Sequence, residues 1–461
     1  MKQQSCSPQR IFDMKKYGVF TILFLLLCLT GCQYCIGVDN MVNVRDFGAA
    51  GDGVTLDTSA LQKALDTGKI VNFPAGTYLT GTIYLRSGGG IHLEKGATIL
   101  GTNDKTQYNA DAFAPQNWWS EKEKASGAHL IIGLEVKNIS ITGEGTIDGN
   151  ARSIFNCVVT GKDRHYYDRP DWRPSQMIWI CDSRNIKIEG ITLKDAPYWN
   201  CFLYGCEDVD ISRVTIRADR AVRNTDGLDI DSCKNVKISG CDIFTGDDSI
   251  AIRADGERSM RTAGGVMSRE NVCENISVSN CRISSTTCGV RLGVGTGIIR
   301  NIDLRDLEMY ETRTGICLCA SYGCDRFCEI CDVNIENVKF DGVAAFWYYN
   351  DWTGKFEVAN GKYCSNIAVK NFTGTQSAAS LIVGNAGYGM RDLTFENVNI
   401  RKTEDKMNCD INSDPNVFRK AWDAPCVIYF RNIDGLNLKN SSFTGASALK
   451  DVFFDVINIE K

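Results

Sequence analysis

The sequence predicts an all-β protein built as a right-handed parallel β-helix, a solenoid in which each coil of the chain stacks on the coil before it. With 461 residues the chain exceeds the size at which a single core stops growing, whereas a solenoid grows in one dimension. A short unit also recurs from residue 138 onward, at spacings of 47, 23, 27, 40, 26, 31, 34 and 26 residues. Such a series is expected for a coil of about 22–27 residues with insertions.

The repeated units share one design. Each begins with Asn or Asp, which suits a left-handed or side-chain-bonded turn, and continues with alternating apolar residues that face a common interior. The units begin at Asn138, Asn185, Asp208, Asn235, Asn275, Asn301, Asp332, Asn366 and Asp392. An all-β sandwich is the competing architecture, but the internal period argues against it.

The N-terminus is typical of a targeting segment. A basic start at Met14-Lys15-Lys16 precedes an apolar run and the small-residue sequence Leu29-Thr30-Gly31-Cys32. It resembles a bacterial lipoprotein signal, with translation starting at Met14 and Cys32 as the lipidated N-terminus. A single membrane anchor is the alternative, although the apolar run is short for one.

These features divide the chain into three parts. We expect a signal peptide over residues 1–31, a tether over 32–41 and a single β-helix domain over 42–461. The resemblance implies an exported lipoprotein, in the periplasm or on the outer-membrane surface, that contacts the membrane through its lipid alone.

A short capping helix is predicted at the start of the domain. Asp57-Thr58-Ser59 provides an N-cap for the apolar stripe of residues 60–65. This helix would cover the first coil, which otherwise exposes unpaired strand groups and core.

The composition limits the kinds of partner and cofactor that we expect. The net charge is −5 with both signs mixed along the chain, so no nucleic-acid partner is indicated. The 21 cysteines leave disulfides open. A zinc site at Cys324, Cys328 and Cys331 lacks a fourth ligand. We expect a monomer without cofactor or metal.

Insertions mark the predicted rim of a binding groove. Residues 105–126, 162–174 and 346–352 are rich in aromatic residues or arginine, which suits stacking on sugar rings. Self-packing of long loops is the alternative. Trp199 lies one unit before an acidic motif and is the stronger candidate for the groove.

Three aspartates are predicted to share one site. Residues 226–230 align with residues 248–252 at an offset of 22 residues, so Asp226 and Asp248 would be neighbours about 4.8 Å apart, with Asp247 beside them. Turn chemistry explains any one aspartate. Three like charges in matched register are costly and favour a functional site.

The motifs resemble glycoside hydrolase family 28, the polygalacturonase family of pectin-degrading β-helix enzymes. The likeness runs from Val44 through Gly143–Gly149 and Arg173-Pro174, and it is most specific at Asn224-Thr225-Asp226-Gly227 and Gly246-Asp247-Asp248. It implies inversion, with Asp247 as the acid while Asp226 and Asp248 activate water. An inverting enzyme usually separates acid and base by about 6.5–9.5 Å.

The sequence departs from this family at two motifs. Cys288 stands where the family has the His of Gly-His-Gly, and Cys317-Leu318-Cys319 stands where it has Arg-Ile-Lys. In the family that Arg and Lys bind the substrate carboxylate. Arg253 and Arg291 are candidates to replace the missing cations, or they are solvated rung residues or partners of neighbouring aspartates. Cys288 is more simply a space-filling residue. The predicted substrate-binding residues are Asn224, Arg253, Arg291, Trp199 and Cys288.

The sequence therefore predicts an inverting glycoside hydrolase acting on galacturonan, rhamnogalacturonan or a related pectic glycan. One alternative is a β-helix lyase or epimerase, which needs a cation to stabilise an enolate. Another is a non-catalytic glycan-binding solenoid, although such a protein has no reason to keep three stacked carboxylates.

Overall fold

The computed structural model describes residues 40–109, 123–159, 166–255, 271–320, 327–349, 364–384, 390–403, 426–445 and 450–458. All the strand pairings between coils are parallel, and pairing runs from each coil to the next. The predicted right-handed parallel β-helix is confirmed. Val42–Lys461 forms one compact unit.

Short strands make up the coils as far as Gly295, whereas the strands Ile298–Cys319 and Glu329–Tyr349 run continuously for 22 and 21 residues. The 31 strands are β1 Met41–Asn43, β2 Asp52–Leu56, β3 Ile70–Phe73, β4 Gly76–Thr80, β5 Ile83–Tyr84, β6 Gly90–Leu93, β7 Ala97–Gly101, β8 Ile131–Leu134, β9 Lys137–Gly143, β10 Thr146–Asp148, β11 Ile178–Cys181, β12 Arg184–Glu189, β13 Thr192–Lys194, β14 Cys201–Tyr204, β15 Glu207–Ser212, β16 Thr215–Arg217, β17 Leu228–Asp231, β18 Lys234–Ser239, β19 Asp242–Thr245, β20 Ile250–Ala254, β21 Val272–Ser279, β22 Arg282–Ser285, β23 Cys288–Gly295, β24 Ile298–Cys319, β25 Glu329–Tyr349, β26 Cys364–Gln376, β27 Ser380–Val383, β28 Met390–Lys402, β29 Cys426–Lys439, β30 Ser442–Thr444 and β31 Lys450–Asn458. The helices are α1 Thr58–Leu65, α2 Ala151–Ile154 and the 3₁₀ turns Val44–Phe47 and Lys105–Gln107.

One coil illustrates the three faces of the solenoid. Its first strand, β18, pairs with β15 and β21; its second, β19, pairs with β16 and β22; its third, β20, pairs with β17 and β23. Alternate residues of these strands point inward, so Ile238, Ile243 and Ile252 are fully buried in one continuous apolar core. The residues of the candidate site, described below, lie on the turn between the second and third faces.

Helix α1 confirms the predicted cap, with Leu61, Ala64 and Leu65 buried against the first coil. The predicted capping role of Asp57 is wrong. Asp57 occupies the N-cap position but makes no side-chain cap hydrogen bond. Its carboxylate instead accepts from the backbone amides of Ala50 at 2.7 Å and Gly51 at 3.0 Å. The glycine-rich turn before the helix therefore takes the acceptor that the helix would have used.

The Asn and Asp residues that open the repeated units adopt the predicted left-handed conformation, with φ between 52° and 60° at all nine positions. They also form a ladder along the solenoid. The side-chain amide of Asn275 donates to Asn235 at 3.0 Å, and the amide of Asn301 donates to Asn275 at 3.2 Å. Further rungs join Asn185 to Asn138, Asn235 to Asp208 and Asn366 to Asp332.

Most of the cysteines among the described residues are buried. Cys241 and Cys281 are both 2% exposed and lie at the same place in adjacent coils, which confirms the predicted internal stack. Of the predicted zinc cluster, Cys328 is buried and Cys331 is partly exposed, while Cys324 lies outside the described residues.

The targeting segment lies outside the described residues, and so do residues 110–122, 162–165 and 350–352 of the predicted rim. Within the described part of the chain, neither helix nor turn reaches the length and hydropathy that a membrane crossing requires.

Candidate active site

The site lies on the turn between the second and third faces in three successive coils. Asp226 precedes β17, the pair Asp247-Asp248 precedes β20 and Thr287 precedes β23. The predicted register is confirmed, because Leu228 pairs with Ile250 two residues after the aspartates. Parallel pairing therefore stacks the aspartates of consecutive coils at one point on the surface.

The three carboxyl groups form one cluster. One oxygen from each of Asp226, Asp247 and Asp248 lies within 4.8 Å of the others. Asp226 is 6% exposed and Asp248 is 4% exposed, whereas Asp247 is partly exposed. The Oδ1 atom of Asp226 is buried without a hydrogen-bond partner. A buried acceptor in that condition is costly unless it is protonated or meets a ligand.

Thr287 links the two adjacent aspartates. Its hydroxyl lies 2.9 Å from Oδ1 of Asp247 and 2.7 Å from Oδ1 of Asp248. A hydroxyl has a single proton to donate, so it can serve both carboxyl groups fully only when one of them is protonated and donates back. The geometry therefore suits a cluster that retains a proton.

Arg291 compensates one of the three charges. Its Nε lies 2.5 Å from Oδ2 of Asp248, and its Nη2 donates to Oδ1 of the same carboxylate at 3.1 Å. Both side chains are less than a tenth exposed. A buried arginine that contacts one carboxyl group at two points is a strong and directional ion pair.

The other two aspartates hold protons to a higher pH than usual. Burial, followed by the neighbouring charges of Asp247, Asp229 and Asp248, raises the pKa of Asp226 well above its ordinary value. Burial and the charge of Asp248 raise the pKa of Asp247 to about 6. The cluster thus combines a carboxyl group paired with an arginine and two carboxyl groups that retain their protons in mildly acidic solution.

Asn224 contacts the cluster through its amide. Its Nδ2 lies 3.4 Å from Oδ2 of Asp247. Its Oδ1 accepts from Nη2 of Arg173 at 2.9 Å, and this fixes which end of the amide faces the aspartate. Arg173 is fully buried and also donates to the carbonyls of Pro197 and Arg223.

Glu123 brings a fourth carboxylate to this edge of the site. It accepts from Tyr198 Oη at 2.5 Å, and its other oxygen lies 3.4 Å from Nδ2 of Asn224. The charge of Glu123 contributes to the raised pKa of Asp247.

The structure changes the interpretation of two predicted substrate-binding residues. Arg253 is 6% exposed and is paired with Asp229, Asp231 and Asp255 at 3.8, 3.2 and 3.6 Å. It is therefore a partner of neighbouring aspartates, the simpler of its two predicted roles. Trp199 is 2% exposed and offers no ring face for sugar stacking.

The burial of Trp199 has identifiable causes. Its ring is stacked on Tyr198 at 5.2 Å, and the guanidinium of Arg253 lies 4.9 Å from the ring centroid. With these contacts and 2% exposure, the ring is not accessible, so stacking of Trp199 on a sugar is not supported.

Cys288 is 3% exposed and packs with Cys317, Cys319 and Trp347 in a small apolar cluster on the outer side of the third face. Its Sγ lies 3.7 Å from Nη2 of Arg291. The space-filling role predicted for Cys288 agrees with this packing.

The sequence did not single out Arg173, Thr287 or Glu123 as functional residues. Arg173 and Glu123 are 51 and 101 residues from Asn224, which they contact, so spacing carried no signal for either. Thr287 was identifiable, because it occupies the turn position of Asp247 one coil further along.

Carboxylate oxygens are ligands that hard cations prefer. Within the described part of the chain, Asp226, Asp247 and Asp248 are the group of side chains that could hold a metal ion. Arg291 already neutralises Asp248, and the absence of a metal stays a prediction.

The fold and the site together define a parallel β-helix protein with a clustered acid–base site, the chemical groups that a glycoside hydrolase needs. The model of Glycosyl hydrolases family 28 matches residues 67–417. The chain therefore belongs to glycoside hydrolase family 28.

Individual relatives agree with this assignment. A probable polygalacturonase of Vitis vinifera is 30% identical over 315 residues, which is 66% of this chain and 61% of the relative. An exo-poly-alpha-D-galacturonosidase of Dickeya chrysanthemi is 28% identical over 47% of this chain and 42% of its own length. The chain thus spans less than two thirds of either relative.

A solved structure shows the same fold. The exopolygalacturonase of Thermotoga maritima superimposes with a TM-score of 0.61 at 22% identity, over 79% of this chain and 87% of the other. At that identity the likeness concerns the fold alone.

Proposed function

We propose that the protein is a glycoside hydrolase that cleaves a pectic polysaccharide or oligosaccharide by direct displacement with water. This proposal rests on the different environments of the aspartates in the cluster. Arg291 stabilises the carboxylate of Asp248, while burial and like charge raise the pKa of Asp247 to about 6. Family membership supplies the substrate class.

In this mechanism Asp247 donates its proton to the glycosidic oxygen as the bond to the anomeric carbon breaks. Asp248 accepts a proton from the attacking water, and the unpartnered oxygen of Asp226 provides a second contact that holds this water. Asn224 stays beside Asp247 and steadies the conjugate base after transfer. The net reaction adds one water across one glycosidic bond.

The role that we propose for Arg291 differs from the substrate binding predicted from the sequence. Because its guanidinium is engaged with Asp248, we propose that it positions the base rather than contacting the sugar. Cys288 lies behind that guanidinium and packs the site without taking part in the chemistry.

Inversion is the stereochemistry proposed from the family resemblance, and the geometry makes it worth testing. Inverting enzymes usually separate their carboxyl groups by about 6.5–9.5 Å, and retaining enzymes by about 5–5.5 Å. The oxygens here lie within 4.8 Å of one another, which is closer than expected. Inversion then requires the water to lie beside the cluster, held by Asp226 and Asp248, rather than between acid and base.

The test is hydrolysis of pectic oligosaccharides by the soluble domain, residues 42–461, followed by mass spectrometry and by proton NMR of the first product formed. Products of opposite anomeric configuration to the substrate are expected, and they should disappear with Asp247→Asn. Products of retained configuration would overturn direct displacement, and no hydrolysis of any pectic glycan would overturn the function.

A lyase or epimerase is less consistent with this site. Those reactions need a cation beside the uronate to stabilise an enolate, whereas Arg291 is engaged with the base itself. An unsaturated product that absorbs in the ultraviolet would favour the lyase. Glycan binding that survives Asp247→Asn, with no turnover, would favour the non-catalytic solenoid.

We also propose that the protein is exported and lipidated at Cys32, with the signal-like residues before it as support. Labelling cells with an alkyne fatty acid tests this. Cys32→Ala should lose both the label and membrane association, whereas Cys35→Ala, a matched thiol three residues away, should keep both. Equal labelling of the two variants would contradict lipidation at Cys32.

A further inference from the structure

The reacting centre is unusually rich in acid groups. Besides the three clustered aspartates, Asp229 is fully buried one strand position from Leu228, and neither of its carboxyl oxygens has a hydrogen bond. The acids Asp247, Asp229 and Asp248 all raise the pKa of Asp226, and among its principal influences Arg291 alone opposes them. Among the described side chains at this centre, acid groups therefore outnumber the guanidinium groups that oppose their effect on Asp226.

The arginines that the structure places around this centre are engaged with the protein itself. Arg291 binds Asp248. Arg253 is shared among three aspartates. Arg173 is fully buried and donates to backbone carbonyls and to Asn224. A substrate carboxylate would have to compete with these partners for each guanidinium.

The outward positions next to Arg291 are uncharged. Cys317 lies directly above Arg291 in the parallel register, and Trp347 lies above Cys317. Both belong to an apolar cluster with Cys319, Val343 and others. The pKa of Cys317 is raised well above its ordinary value, with a hydrogen bond to Cys288 as the largest cause and burial next, so this thiol stays neutral.

A carboxylate on the sugar at this point would add a further negative charge to a cluster that already retains protons. Like charges at short range in a partly desolvated site repel strongly, and an unpaired charge against a partner is an effective means of exclusion. An uncharged sugar ring meets no such barrier.

We propose that the sugar whose anomeric carbon is attacked is uncharged, a neutral hexose or deoxyhexose of a pectic glycan rather than a uronate. This inference rests on the proposed hydrolase function and concerns the glycon side of the scissile bond. Uronates can occupy the leaving-group side.

The experiment uses the oxygen of the attacking water as the marker. The soluble domain is incubated in H₂¹⁸O with two oligosaccharide pools, one from homogalacturonan and one with alternating neutral sugar and galacturonate. Tandem mass spectrometry then locates ¹⁸O, which the reaction places on the freed anomeric carbon. Asp247→Asn provides the background for spontaneous exchange.

The label is expected on a neutral sugar, with at least a 10-fold lower rate on the homogalacturonan pool, and with a larger difference at pH 7 than at pH 5 because more of the carboxyl groups are then ionised. Label on galacturonate, or equal rates on the two pools, would overturn the proposal while leaving the hydrolase intact. No label in either pool, nor in arabinan or galactan side chains, would overturn the hydrolase function and this inference with it.

Discussion

Two stacks of polar side chains run from coil to coil along this β-helix, and their chemistry differs. In the asparagine ladder, Asn275 donates to Asn235 and accepts from Asn301. In the aspartate cluster the repeated group is a carboxyl, which when ionised can only accept, and Asp226 Oδ1 is left without a partner. The backbone places both stacks at turns in the same parallel register.

The difference shows what a repeated position does in a solenoid. An amide has both a donor and an acceptor, so a column of amides at strand spacing satisfies itself and stabilises the fold. A column of carboxylates cannot do so, and the electrostatic cost remains until a proton, a cation or a substrate reduces it. The first stack is structural, and the second is the one that we propose takes part in the chemistry.

The same substitution in the two stacks separates them most clearly. Asp247→Asn is expected to lower kcat by about 10²–10⁴-fold, because the acid can no longer give up a proton. Asp208→Asn changes the same group in the ladder, where Asp208 accepts from Asn235 at 3.0 Å, and the new amide can keep that contact. Its activity should be unchanged. An equal loss in both variants, measured on one pectic substrate with circular dichroism to verify folding, would contradict the comparison.

The second prediction concerns Arg291, which pairs with Asp248. Arg291→Met is expected to lower kcat/KM by about 10²-fold, because the base then loses a buried partner. Its pH profile should also move to higher pH, since Arg291 lowers the pKa of both Asp226 and Asp247. Arg291→Lys keeps the charge without the two-point contact and should recover part of both effects.

Arg253→Lys is the matched control, because Arg253 is equally buried and lies in the adjacent coil with three other aspartates. Its pH profile should stay in place even if its stability falls. If Arg291→Met lost activity without any shift of its pH profile, the role of Arg291 would be structural only.

The aspartate cluster should cost stability at neutral pH. Its folded-state pKa of about 6 at Asp247 exceeds the ordinary value of 3.8, so the folded state holds this proton to a higher pH than the unfolded chain. The free energy of unfolding therefore falls as the pH rises between these values. Asp247→Asn should be more stable than the parent at pH 8, on the order of 1–2 kcal/mol, with no gain at pH 3. Urea unfolding at both pH values checks this, and an equal gain at pH 3 would exclude the titration as its cause.

We expect the smallest effect, on stability alone, from substitutions in the asparagine ladder. Asn275→Ala removes two side-chain hydrogen bonds at a residue with φ of 60°, and it should destabilise the protein by about 1–2 kcal/mol without changing activity. Asn275→Gly keeps the left-handed turn and should recover part of the loss. If alanine and glycine destabilise equally, the hydrogen bonds rather than the turn account for the effect.

Much of the fold could be predicted from the sequence, because residues one repeat apart in the chain become neighbours in adjacent parallel coils. The head residues of the units predicted the left-handed turns, and the offset between Asp226 and Asp248 predicted that they stack. Alternation specifies which side chains face inward, and a slip of one residue would turn every one of them outward. Those statements depend on neighbouring coils alone.

The tertiary structure decided which polar groups pair. Arg291 and Arg253 looked equivalent in the sequence, yet one binds a single clustered aspartate and the other binds three. Trp199 followed a promising motif, but it is buried under Tyr198 and Arg253. Period alone cannot specify such contacts, because they depend on rotamers, burial and competition among charges brought together from different coils.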